Sequence, residues 1–165
     1  MCYREFPVST VIYNAVTLGG AVILGILIVA QLGFGAAVGY LALLVAAVVG
    51  LLATVCARCG YHGRRCALGL GLVVRVFRKK PEDEFFCTWP QFVSLLLLAS
   101  ALALPIVCGV GLLVIGFDWL RLALLAGMVG LLLAGLIPHP RLVCGHCCQG
   151  ESGACPVGRA FWNAE

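Results

Sequence analysis

Charge is scarce in this chain. Only 11% of its residues are Asp, Glu, Lys or Arg, against 62% hydrophobic. An ordinary soluble domain carries about 25% charged residues, so a water-soluble globule is excluded. Long polar stretches are absent too, and no pair of carboxylates lies within an apolar run, which argues against a transporter driven through buried acids. The chain has no Gly-rich phosphate loop and no Ser–His–Asp constellation, so nothing points to nucleotide chemistry or hydrolysis, and nothing points to a nucleic-acid partner.

What is present is apolar sequence in four runs, at 8–32, 36–55, 92–117 and 119–137. Each reaches the ~20 residues that a helix needs to cross a hydrocarbon core. Arg121, near the start of the fourth, is the only charge inside them, and Asp118 immediately precedes that run. The first run is too long for a signal peptide, has Glu5 in its flank and leads into no polar mature domain. Four spans put both termini and the central loop on one side, and of the eleven basic residues all but Arg121 fall there. The positive-inside bias therefore predicts cytoplasmic termini in a cell (inner) membrane, with Trp89 and Trp119 at the interfaces.

The chain repeats itself. Phe6-Pro7-Val8-Ser9 opens one half and Trp89-Pro90-Gln91-Phe92-Val93-Ser94 the other. Each opening leads into a helix, a short turn, a second helix and a cysteine phrase: Val55-Cys56-Ala57-Arg58-Cys59 in one half, Val143-Cys144-Gly145-His146-Cys147 in the other. Cys66-Ala67-Leu68-Gly69 and Cys155-Pro156-Val157-Gly158 complete the phrases. The expected fold is an all-α integral membrane protein of four transmembrane helices, arranged as two parallel helical-hairpin repeats, each followed by a cysteine-rich loop. The units are 1–83 and 84–165. With an even number of spans per unit, their axis lies along the membrane normal and both loops meet one compartment.

Small residues predict where helices approach closely: Gly35 and Gly39, Ala46 and Gly50 on the second span, and Ala123, Ala126, Gly127, Gly130 and Ala134 on the fourth. Such faces would also serve a protein partner or a homo-oligomer. Pro105 is expected to kink the third span beside Cys108. The segment 67–80 is too short to span. Its apolar body and its cations Arg75, Arg78, Lys79 and Lys80 suit the bilayer interface and anionic headgroups.

Ten cysteines are the chemical signal. On a cytoplasmic face thiols stay reduced, and reduced Cys-x-x-Cys pairs chiefly bind metal. Cys56, Cys59, His62 and Cys66 form one candidate ligand set; Cys144, His146, Cys147, Cys148 and Cys155 supply the other. Zinc closes such sites with four Cys or His ligands, while an iron–sulfur cluster would use four thiolates. Arg58, Arg64 and Arg65 would lower thiol pKa values, which also suits redox chemistry. The two outward turns hold no cysteine, unlike membrane thiol oxidoreductases that serve quinone. Gly145-His146-Cys147-Cys148 lacks the acid and one histidine of the Asp-His-His-Cys acyltransferases. The leading expectation is a non-enzymatic membrane protein with thiolate zinc sites, structural or metal-handling. An iron–sulfur electron-transfer subunit, a soft-metal carrier with Cys108 as relay and a thiol-redox protein are the alternatives.

Overall fold

A backbone in lipid must satisfy its hydrogen bonds within its own segment, so apolar runs of this length close into helices. The computed structural model describes residues 3–77 and 89–148. Arg78, Lys79, Lys80 and Cys155 lie outside the described residues. In chain order the helices are α1 (Val8–Ala30), α2 (Phe34–Thr54), α3 (Leu70–Val73), α4 (Trp89–Ile115), α5 (Trp119–Leu136) and α6 (His139–Leu142). α1, α2, α4 and α5, with α2 and α5 elongated by short turns, are each long and apolar enough to cross a membrane. Among the described residues there is no β-strand, only one isolated bridge between Tyr3 and Cys147.

The two tight turns have separate causes. Gly33, at φ +122°, reverses the chain between α1 and α2 in a conformation that favours glycine. Asp118 caps α5 by accepting a 3.1 Å hydrogen bond from the Leu120 N–H. At this same end Arg121 donates to the carbonyls of Leu112 and Gly116, at the C-terminus of α4, and to Gln31 after α1. The basic residue that breaks the charge asymmetry is thus tied to the helix ends.

The side chains are arranged inside out. On α1 the exposed face carries Ile12, Val16, Ile23 and Leu27, while Asn14 and Thr17 are buried. Gln91 and Ser94 on α4 are buried as well. In water this arrangement would be costly; in lipid it is the expected one, because polar groups find partners between helices. Trp89 and Trp119 project from opposite ends of α4 and its successor, 76% and 75% exposed, where interfacial aromatics belong.

Partner choice is not sequential. α1 packs most extensively on α5 and α2 on α4, α1 and α4 form the central pair, and contacts within each hairpin are lighter. The α1–α5 pair runs antiparallel: a side chain at Gly20 would meet Leu131 at 2.9 Å, one at Gly127 would meet Leu24 at 3.3 Å, and one at Gly135 would meet Thr17 at 3.2 Å. Gly35, Gly39 and Gly130 meet nothing within 4 Å, so these expected contact glycines do not seat helices within this chain. Their faces point outward. Gly50 does approach α4, at Ser94, which Thr54 also reaches at 3.1 Å.

Pro105 sits inside α4, where its missing N–H leaves the Ala101 carbonyl without its helical donor. Tyr40 of α2 donates to that carbonyl at 3.0 Å. Gly25 of α1 makes room for both groups: a side chain there would meet the Pro105 ring and the Tyr40 hydroxyl at 3.0 Å.

The cysteine end as candidate functional site

Both Val-Cys-x-x-Cys phrases leave their helices through the same kind of turn. A 3-10 turn at Cys56–Arg58 follows α2, and another at Cys144–His146 follows α6. The Cys59 N–H donates to the Cys56 carbonyl at 3.2 Å, and the Cys147 N–H to the Cys144 carbonyl at 3.3 Å. After each turn the second cysteine is extended, at ψ 140° and 124°.

The first loop then doubles back on its sulfurs. Gly63, at φ +78°, turns the chain, and its N–H donates to the Gly71 carbonyl at 2.8 Å. Gly71 must lack a side chain, because a Cβ there would lie 2.3 Å from the Arg64 carbonyl oxygen and 2.6 Å from that of Tyr61. That close approach aims the Gly71 N–H at the Cys66 sulfur, 3.2 Å away. Cys56 lies within electrostatic range of Cys59 and Cys66. His62 is anchored through Nε2 to the Phe77 carbonyl at 2.9 Å, so with Nε2 as donor its Nδ1 keeps a lone pair.

An N-terminal strap joins the two loops. The Tyr3 N–H donates to the His146 carbonyl at 2.9 Å and the Phe6 N–H to the Arg65 carbonyl at 3.0 Å. Arg65 pairs with Glu5 at 2.9 Å. Tyr3 stacks on His146 at 4.8 Å between centroids, and His146 Nδ1 is buried without a hydrogen-bond partner. Phe6, Tyr61 and Ala67 form a small core against which Cys59, Cys66, Val143 and Cys147 pack. Tyr61 is its hub. Its hydroxyl donates to the Tyr3 carbonyl at 2.8 Å and accepts from the Cys148 N–H at 3.2 Å. Burial, and next to it Cys147 and Cys59, push its pKa up to about 12 against the lowering effect of the Cys148 N–H.

Of the expected ligands, then, Cys56, Cys59, His62 and Cys66 share the first loop, and Cys144, His146 and Cys147 share the second. Cys56, Cys59, Cys66, Cys144 and Cys147 are thiols, as is Cys108, which packs against the Met128 core far from either loop in sequence. Cys148 is in a disulfide, so in this state it offers no thiolate. Among the described residues no three His, Cys, Asp or Glu side chains converge as a ready metal site. Sequence reasoning passed over Tyr3, Phe6, Tyr61 and Gly71. Two aromatics ahead of the first span and one between the Cys-x-x-Cys pair and the third cysteine were the available signal.

The fold and this end of it define a class: a cysteine-rich, all-helical protein with four membrane-spanning candidates. Comparison with known proteins found no matching family model, curated sequence or solved structure.

Proposed function

We propose that the chain is a non-enzymatic integral membrane protein whose cysteine end holds soft metal, zinc first, through thiolates. The observation that carries this reading is the first loop, which turns its backbone onto one of its own sulfurs. The Gly71 N–H bonds the Cys66 sulfur and a backbone carbonyl orients His62, as metal-ligating histidines are ordinarily oriented. Cys56, Cys59, Cys66 and His62 Nδ1, all in one loop, make a donor set of the kind zinc takes. In the second loop Cys144, Cys147 and the unpartnered His146 Nδ1 are the matching donors, with Cys155 outside the described residues. A bound metal would lock both loops onto the helix ends or pass to a partner.

The wider reading is of two parallel hairpin repeats with both loops and both termini cytoplasmic. The paired turns support it, as does the exchange of partners, in which α1–α5 and α2–α4 are equivalent pairs and α1–α4 straddles the axis. Segment 67–77, with Gly71 and Val74 buried and Leu72, Val73 and Val76 exposed, supports an interfacial position.

Metal analysis of anaerobically purified protein tests the proposal. Stoichiometric zinc in a colourless protein, lost in Cys59→Ser, is expected. Brown protein with iron and sulfide would replace zinc by a cluster, and metal-free protein would overturn the reading. The Cys148 disulfide beside the Cys147 thiol favours a thiol-redox role as second reading, in which redox state, not metal, would control the loops.

A further inference from the structure

The lighter packing within the first hairpin leaves space. A crevice of about 380 Å3 lies between α1, α2 and α4, walled by Leu18, Gly19, Val22, Val48 and Leu51 and roofed by Leu70. A second hollow of about 280 Å3 shares Val22 and Val48 and continues along α2. The lining follows α1 from Asn14 to Val22, roughly 12 Å at ~1.5 Å per residue. That length stays within one leaflet of a hydrocarbon core about 30 Å thick. Gly19 opens the wall, since a side chain there would meet nothing within 4 Å.

The roof, Leu68 and Leu70, belongs to a loop that is pinned in place and carries cations. Asn14, 2% exposed, donates to the Ala67 carbonyl at 3.0 Å and so pins the loop over the crevice. Gly71, next to Leu70, touches the Arg64 backbone, and the Arg75 stem lies against Gly63. Arg65 is paired with Glu5, whereas Arg64 and Arg75 have no ion-pair partner among the described residues. Arg64 also lines an open polar hollow of about 500 Å3 with Arg4 and Glu5.

An apolar slot one leaflet deep, closed by a loop that carries Arg64 and Arg75, neither of them ion-paired among the described residues, matches one molecule. We propose that the crevice seats one acyl chain of an anionic phospholipid, with the phosphate held by Arg64 and Arg75. This site is independent of any metal and requires only that the helices lie in a bilayer.

Native mass spectrometry of the full chain, released from mixed micelles of phosphatidylglycerol and phosphatidylcholine, tests it. The wild type is expected to retain one phosphatidylglycerol in preference to phosphatidylcholine. Arg64→Gln and Arg75→Gln should each reduce that preference about fivefold, the effect of about 1 kcal/mol per cation near a membrane surface. Gly19→Leu should abolish retention of both lipids while the thermal midpoint holds. Val48→Phe, entering from the α2 wall, gives the same readout should Gly19→Leu unfold. Wild-type retention in both crevice variants would overturn the seat, and an unchanged lipid preference in both arginine variants would overturn the headgroup assignment.

Discussion

Gly71 shows how much of the cysteine end rests on single residues. Its N–H reaches Cys66 only because its α-carbon carries hydrogen against two carbonyls. Gly71→Ala should cost the loop about 1–3 kcal/mol in overpacking, read as faster modification of Cys66 by a thiol reagent with the helical content unchanged. Tyr61→Phe removes one donor and one acceptor at the hub, each worth about 1 kcal/mol. Earlier proteolysis of the strap should follow, with no change in the Cys56–Arg58 turn. The paired thiols were legible in the sequence because their spacing is a local property. The role of Gly71 was not, because it depends on a contact with Tyr61 and Arg64 across the loop.

Among the elements, the long helices and their two turns could be read from hydropathy, Gly33 and Asp118. The pairing of helices could not. With lipid outside and aliphatic neighbours inside, nearly every face of α1, α2, α4 and α5 is apolar, and periodicity says little about which face meets which. Glycine spacing misleads for the same reason: Gly35 and Gly39 have the favoured interval and face outward, whereas Gly20 and Gly25 receive Leu131 and Pro105. The bond from Tyr40 to the Ala101 carbonyl links two helices through a defect in one of them. Tyr40→Phe should leave that carbonyl unsatisfied away from water and destabilise the α2–α4 contact by about 1–3 kcal/mol. The measurement is the denaturant midpoint in detergent. Combining it with Pro105→Ala, which restores the helical donor, should recover most of the loss.

For the whole molecule, the proposed orientation predicts that a membrane-impermeant maleimide leaves Cys56 and Cys144 unmodified in intact cells and reacts after permeabilisation. Labelling from outside would reverse the topology. Overall handedness of charge was visible in the sequence, and the placement of Arg121 at the opposite end now has a structural use, since it closes the α4 terminus. The strap has a consequence of a different kind. Tyr3 is made early, yet its backbone partner His146 belongs to the last described loop, so the ribosome must deliver all four helices before this seam can form. Until then the aromatic segment and the early thiols wait without their partners, and a nascent chain stalled anywhere in α4 or α5 would display them to whatever surveys unfinished membrane proteins. Assembly of the cysteine end is therefore a report that synthesis through the fourth helix has succeeded.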